Sequence, residues 1–358
     1  MDLNGSEITT YGNCETYAPK IGGFNSIIRC DTAIVARPHS GSNALQILPN
    51  AATAVGFRIG ATSGSLNGTV VGSKYTLEAW VYLAAAFSGS LSEVKLSIVK
   101  DNSVIIASST SPAATATWTK LVVNFEVPAG STGITPVVYL NNTAATLAST
   151  DTALVDDVSL TQAWDGVIGA RVNVNSFATE RTLLRRKNGD ATVAGWYLTI
   201  PTTGRINLRL GDDINIASAN AAADKLVVLN KEVFVIGTID RTGLLTIYLS
   251  GENVGTVSAA LIGRVVSATE VFYLGVKGGV SNFFSGTIRE PFFIRYTSLP
   301  SDIARWIAHA NTQRFIPEPP GGGETVLRIF GRRNDALDQS GNQGVLTNTG
   351  STPIIQKQ

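Results

Sequence analysis

Two histidines, His39 and His309, and two cysteines, Cys14 and Cys30, are all that this chain offers for imidazole or thiol chemistry. That supply does not suit a histidine-based catalytic centre or a zinc site. A retaining glycosidase needs two carboxylates about 5 Å apart. Alternate positions on one strand, as in Glu-x-Asp, would supply them, and the chain contains no Glu-x-Asp. Nor does it contain a Gly-x-Ser-x-Gly elbow, a Gly-Lys phosphate loop, a Gly-x-Gly-x-x-Gly or a Cys-x-x-Cys. The residues point to a protein that binds and is not an enzyme.

Stacking is the chemistry that remains. Aromatic faces shown to solvent can lie against the apolar faces of pyranose rings. The candidates in the first half are Tyr11, Tyr17, Phe24, Phe87 and Tyr139. Trp80 and Trp118 lie in strand-like runs with apolar neighbours and are read as core; Tyr82 shares a face with Trp80 and shares that reading. Trp196, Tyr197 and Tyr248 are similar cases in the second half. The loop Gly278-Gly279-Val280-Ser281-Asn282-Phe283-Phe284 sets Phe283 and Phe284 beside glycines, where they either face outward or cap the fold. Arg181, Arg185, Arg186 and Lys187 form the densest positive stretch. The chain's neutrality favours a solvated hairpin there over a site for an acidic glycan or a neighbouring subunit.

The elements that must position these residues are strands. Runs of Val, Ile, Thr, Tyr and Phe are broken about every 8–12 residues by Gly, Asn, Asp, Ser or Pro. Strands are expected at 75–83, 94–100, 120–127, 135–140 and 154–160, then at 164–174, 195–200, 206–210, 233–239, 244–249, 271–276 and 286–296. In 244–249, Leu245, Ile247 and Leu249 alternate with Thr246 and Tyr248, the pattern of a strand with one buried face. One helix is expected near 302–312, where Ile303, Trp306, Ile307 and Ala310 fall at i, i+3, i+4 and i+7.

The chain has 358 residues, which suggests two domains at about 150 residues each. Hydrophobic residues make up 44% and charged residues 15%, enough apolar material for real cores. Lys+Arg is 28 and Asp+Glu is 27, giving a net charge of +1. Such a chain lacks the field of a nucleic-acid or polybasic membrane binder. No run of about 18 apolar residues exists, so no membrane insertion is expected. Met1-Asp2-Leu3-Asn4-Gly5 is polar, with neither the basic nor the apolar region of an export signal. Cys14 and Cys30 either close one small loop, in an oxidising compartment, or are two small buried residues. The first break is expected at 161–163 and the second at the proline- and glycine-rich 317–323.

Trp118-Thr119-Lys120, Val127-Pro128-Ala129-Gly130 and Leu154-Val155-Asp156-Asp157-Val158-Ser159-Leu160, in that order, resemble the closing half of jelly-roll carbohydrate-binding modules of the cellulose- and xylan-binding superfamily. Tyr75-Thr76-Leu77-Glu78-Ala79-Trp80-Val81-Tyr82 is similar to their central strand, and Asn4-Gly5-Ser6 to their opening, although the usual aromatic-Glu pair is missing. Val233–Asp240 with Leu245–Gly251, then Phe272-Tyr273-Leu274-Gly275 and Phe284–Glu290, resemble the laminin-G-like, concanavalin A-like sandwich. Leu299-Pro300-Ser301-Asp302-Ile303 is similar to its short helix. The expected fold class is therefore all-β: two antiparallel β-sandwich (jelly-roll) domains in tandem, at 1–162 and 163–316, with a linker at 317–323 and a tail at 324–358.

The resemblances carry further implications. Jelly-roll modules of this kind hold a structural calcium ion (Ca2+), which nominates Asp157 with Glu7 or Glu15 as partner, hard oxygen ligands being what calcium takes. The alternative is that these acids satisfy turn amides. The tail's Val326-Leu327-Arg328-Ile329-Phe330 is similar to the segment that opens a laminin-G-like domain, so the tail is expected to add a strand. Folding back beside Trp164 is favoured over completing a neighbouring subunit. Arg328, Arg332 and Arg333 would act as charged gatekeepers around that apolar run. Ligand-displaying sandwiches without an export signal fit a phage virion protein: a capsid decoration, head fibre or tail-associated adhesin. Its expected partners are other virion proteins, copies of itself, and cell-surface or environmental polysaccharide. The alternative is a secreted pair of carbohydrate-binding modules from a polysaccharide-degrading enzyme.

Overall fold

The computed structural model describes residues 4–7, 30–36, 38–49, 55–58, 68–101, 104–141, 147–148, 150–186, 194–212, 214–265, 273–275, 284–321 and 323–328. The chain divides into two compact units, Asn4–Ala163 and the residues from Trp164 onward.

In the first unit, one sheet runs β2 (Cys30–Val35), β3 (Ala44–Pro49), β10 (Ala153–Ala163), β5 (Lys74–Leu83), β8 (Trp118–Glu126), and β1 (Asn4–Glu7) pairs with the far end of β10. The other sheet runs β4 (Val55–Arg58), β9 (Ile134–Asn141), β6 (Lys95–Lys100), β7 (Val104–Ser108). Every pairing is antiparallel. Strand β5 shows why the sheets face each other. Tyr75, Leu77, Ala79, Val81 and Leu83 are buried, and they meet Leu96, Ile98, Val138 and Leu140 of the opposite sheet in one core. Each such buried aliphatic side chain stabilises the fold by about 1.5–3 kcal/mol. The alternate residues Lys74, Thr76, Glu78, Trp80 and Tyr82 necessarily stand on the other face.

In the second unit, one sheet runs β18 (Glu252–Ser258), β17 (Leu244–Leu249), β16 (Glu232–Ile239), β11 (Asp165–Val174), β20 (Gly286–Tyr296), β21 (Glu324–Arg328). The opposing sheet runs β15 (Ile216–Asn220), β14 (Asn207–Gly211), β13 (Gly195–Ile200), β12 (Arg181–Arg186), β19 (Tyr273–Leu274). Ile168, Ala170, Val172, Val235 and Phe293 from the first sheet meet Leu184, Trp196, Leu198, Leu208 and Leu210 from the second. At the sandwich edge a Cβ on Gly255 would lie 2.2 Å from the Asn220 carbonyl oxygen, so glycine alone lets β18 close on β15.

Helix α1 (Ile303–Thr312) covers the outer face of the six-stranded sheet. Its stripe Ile303, Trp306, Ile307 and Ala310 is buried against Phe234, Ile236, Phe292 and Ile294, as the i, i+3, i+4, i+7 spacing requires. The helix C-terminus is held by buried Arg171, whose Nη2 donates to the carbonyls of Ala310 (2.8 Å) and Gln313 (2.7 Å). Those contacts satisfy acceptors that a helix end leaves open. Among the described residues no helix is long and apolar enough to cross a membrane.

The tail adds a strand. β21 pairs with β20 of the same chain, Phe293 opposite Leu327, and Leu327 is buried in the sandwich core. Arg295 ties this strand to the start of the unit: it pairs with Glu324 while its guanidinium lies 3.9 Å from the Trp164 ring centroid. Residues 329–358, with Arg332 and Arg333, lie outside the described residues, as does the Arg328 side chain.

Candidate functional site

The outer face of β10, β5 and β8 carries a group of four rings. Tyr82 and Trp118 are register partners on β5 and β8. Their ring centroids are 5.7 Å apart at an interplanar angle of 52°. Trp80 lies two residues from Tyr82 on the same face. His39, from the segment after β2, stacks on Trp80 at 3.7 Å and 16° and meets Trp118 edge-on at 5.6 Å and 69°. Trp80, Tyr82 and Trp118 are half-buried and His39 is exposed. Since His39 covers the face of Trp80, solvent meets a stepped patch of the His39, Trp118 and Tyr82 rings.

This corrects the reading of Trp80, Trp118 and Tyr82 as core. Their apolar chain neighbours Ala79, Val81 and Leu121 are the buried ones, and strand alternation turns the large rings to the opposite side.

Polar groups frame the rings and balance their charge. Lys120, opposite Trp80 in the register, lies 3.0 Å from Glu78. Thr76 Oγ1 donates to Asn124 Oδ1 at 2.6 Å. The segment that carries His39 is pinned by two consecutive acids of β10. Asp156 is fully buried; its Oδ2 accepts the amides of His39 (2.9 Å) and Ser40 (3.1 Å), and its Oδ1 accepts that of Asp157 (2.8 Å). Burial pushes the Asp156 carboxyl above its ordinary range, the neighbouring Asp157 charge adds to this, and the three amides oppose it. Asp157 lies 2.7 Å from His39 Nδ1 and accepts from Ser40 Oγ at 2.7 Å. A bulge between Asp156 and Ser159 separates the two acids' roles, with Asp157 at φ 47, a left-handed conformation that aspartate tolerates better than most residues.

Asp156 thus satisfies turn amides, and Asp157, the residue nominated for calcium, is met by His39 and Ser40. Glu15 and the Glu7 side chain lie outside the described residues, and among the described residues no three His, Cys, Asp or Glu side chains gather as a metal site.

Other expectations move. Phe87 is buried among the core residues of the first unit, so its ring is not offered to a sugar. Tyr139 is buried too, packed with Val99 and Val137 on the outer face of the second sheet. Tyr11, Tyr17, Phe24, Phe283 and Lys187 lie outside the described residues. Phe284 is half-buried and packs against the core while its amide donates to the Gly275 carbonyl at 2.7 Å, the capping arrangement. Trp196 is core, 4.9 Å from Phe293. Tyr248 packs partly against the helix-side cluster, and Tyr197 is half-buried on the other face of its sheet. Arg181, Arg185 and Arg186 form no solvated hairpin; all three are buried within β12, and Arg181 Nε donates to the Ser176 carbonyl at 2.7 Å. His39 is the participant that the sequence reading missed.

Residues 147–304 match the family model of the concanavalin A-like lectin/glucanases superfamily. The match reaches back before Trp164 into the last part of the first unit and spans most of the stretch expected to be laminin-G-like. Among solved structures, the chain is similar to a heptameric SAP-like pentraxin from Limulus polyphemus, at 11% identity and TM-score 0.33 over 44% of this chain and 74% of that one. It is similar to the CBM40 of a Ruminococcus gnavus IT-sialidase bound to α2,3-sialyllactose, at 19% identity and TM-score 0.30 over 39% and 79%. A third is the CBM22-1 xylan-binding domain of a Paenibacillus barcinonensis protein, at 11% identity and TM-score 0.32 over 46% and 98%. No curated protein matches the chain.

Proposed function

We propose that the first unit binds a neutral polysaccharide chain, without turnover, on the patch formed by His39, Trp118 and Tyr82. The observation that carries this is a stepped aromatic surface framed by the ion pair of Glu78 with Lys120 and the contact of Asp157 with His39 Nδ1. Flat rings accept the apolar faces of successive sugars, and the adjoining hydroxyl, amide and imidazole groups accept and donate to their hydroxyls. The family match over 147–304, to a superfamily described by lectins and glucanases, supports a sugar partner for the chain. Weak single sites suffice where many copies are displayed together. A phage virion and a polysaccharide-degrading enzyme are two settings that use such a module; the neighbouring genes, capsid and portal or glycosidase, decide between them.

Calorimetry of the full chain against soluble xylan, β-glucan and mannan tests the proposal. At least one should bind, and Trp118→Ala and Tyr82→Ala should each weaken it about tenfold, equivalent to about 1.4 kcal/mol. No binding across the panel, or unchanged binding in both variants, would overturn it. Release of reducing sugar from the bound polymer would overturn the exclusion of turnover.

A further inference from the structure

The first unit also carries a hollow, on the outer face of its other sheet, β4–β9–β6–β7. On β6 and β9, Leu96, Ile98, Val138 and Leu140 fill the core, so Lys95, Ser97 and Tyr139 stand on the opposite side. Register sets Lys95 beside Tyr139, and Ser97 beside Ser108 of β7. The two serines are small where Tyr139 and Ile105 are large, and the shortfall leaves a cavity of about 190 Å3. A 3-10 turn, Leu91–Glu93, supplies the remaining wall through Ser92 and Glu93.

The floor of the hollow is fixed. Tyr139 is buried, and a Cβ on Gly56 of β4 would lie 2.8 Å from its Cδ1, so glycine lets the ring lie against that strand. Burial pushes the Tyr139 phenol above its ordinary value, with Arg58 opposing, so the ring stays neutral. Ser97 is buried too, and its hydroxyl shares a hydrogen bond of 2.8 Å with that of Ser108. The groups within a ligand's reach are those of the rim: Ser92, Ile105 and Ser108 are exposed, and Glu93 and Lys95 are half-buried.

The rim narrows the ligand. An ammonium donates three hydrogen bonds, a carboxylate has about four lone-pair sites, and a serine hydroxyl both donates and accepts. Glu93 therefore has capacity for a ligand besides its partner in the protein. A cation and an anion on one rim suit neither an acid nor an amine. They suit adjacent hydroxyls, which accept from the one and donate to the other, while Ile105 offers an apolar side to ring C–H groups. The cavity has room for about six waters at about 30 Å3 each, enough for one sugar ring and short of the about 300 Å3 at which pockets for larger ligands begin.

We infer that this hollow binds one neutral sugar residue, presented as a chain end or a branch. It lies on the opposite face of the sandwich from the aromatic patch, so a unit using both would join two chains. That consequence rests on the patch reading; the hollow itself does not.

Ligand-observed NMR of the full chain with the methyl glycosides of glucose, galactose, mannose and xylose tests the inference, with methyl glucuronide as the charged arm. At least one neutral glycoside should bind with a dissociation constant of about 10 mM or tighter, in the range open to so few atoms, and more tightly than the glucuronide. Lys95→Met should weaken that binding about tenfold. Ser108→Leu, which fills the hollow from an edge strand, should abolish it. Trp118→Ala should leave it within about twofold; loss there would put the sugar on the aromatic patch and sink the hollow while sparing the patch. No neutral glycoside bound, a preference for the glucuronide, or full affinity in Lys95→Met would overturn the inference. Should Lys95→Met fail to fold, Ser108→Leu decides: undiminished binding overturns it.

Discussion

On the outer face of β5 and β8, Lys120 lies against the Glu78 carboxylate, and His39 beside them meets that of Asp157. On the outer face of β12, β13 and β14, Arg185 and Arg209 meet the ring of Tyr197, and no carboxylate shares their rows among the described residues. Both faces arise in the same way. A strand buries every second residue in a sandwich core and turns the rest outward. What differs is the residue paired with each cation. A carboxylate partner leaves a neutral aromatic surface, suited to uncharged sugars. On the other face two guanidiniums lie over the Tyr197 ring, which carries no charge of its own to offset them.

The largest effect is expected from Glu78→Gln. The Glu78 and Lys120 side chains are about one-tenth exposed or less, so removing one partner of this pair should destabilise the first unit by about 3–5 kcal/mol, read by denaturant unfolding. The same change should make the aromatic face attract charged oligomers. Adding Lys120→Met should recover much of the stability and abolish that gained attraction. If Glu78→Gln shows no new affinity for anionic sugars, the Glu78 carboxylate is not what keeps that face neutral.

Next in size is salt. Raising NaCl from about 0.05 M to about 0.5 M should leave binding of a neutral polysaccharide within about twofold, since screening acts on charge and not on stacking. Smaller still is Thr182→Val. It removes a buried hydroxyl without a partner, so the unfolding free energy should rise by about 1 kcal/mol. An unchanged or lower unfolding free energy would mean that the hydroxyl finds a partner in solution.

The smallest effect concerns Asp156. Its carboxyl is raised above the ordinary value of 3.8, so the folded state holds this proton more tightly than the unfolded chain. Its contribution to stability is therefore greatest below the unfolded value and declines as pH rises from there through the folded value. Asp156→Asn should flatten that part of the stability curve. An unchanged slope would mean that the amides of His39, Ser40 and Asp157 offset burial completely.

Much of the fold was legible where a single period dominates. The helix stripe Ile303, Trp306, Ile307 and Ala310, and the strands Gly195–Ile200, Leu244–Leu249 and Gly286–Tyr296, lie where the pattern sets them. Val104–Ser108 escapes the pattern because it buries no side chain fully, and Ile216–Asn220 because its buried alternate positions are the small Ala217 and Ala219. Arg181–Arg186 was read as a charged surface, and its arginines are buried because a carbonyl and an aromatic ring receive them. The orientation of Trp80 and Tyr82 was legible in principle, since Lys74, Thr76 and Glu78 share their parity, but the apolar neighbours outweighed it. His39 was not legible at all: it stands 117 residues before Asp156, and only the folded chain brings them together.

Strand β21 has a consequence for assembly. It covers an edge of β20 that includes Phe292, Phe293 and Ile294, a long apolar edge of the kind that recruits strands from other molecules. The covering segment is tethered within the same chain, and a short tether supplies an effective concentration of the order of millimolar. In dilute solution self-pairing therefore prevails. Where copies stand at comparable local density, an identical strand from a neighbour competes for the same edge, and exchange between molecules costs little.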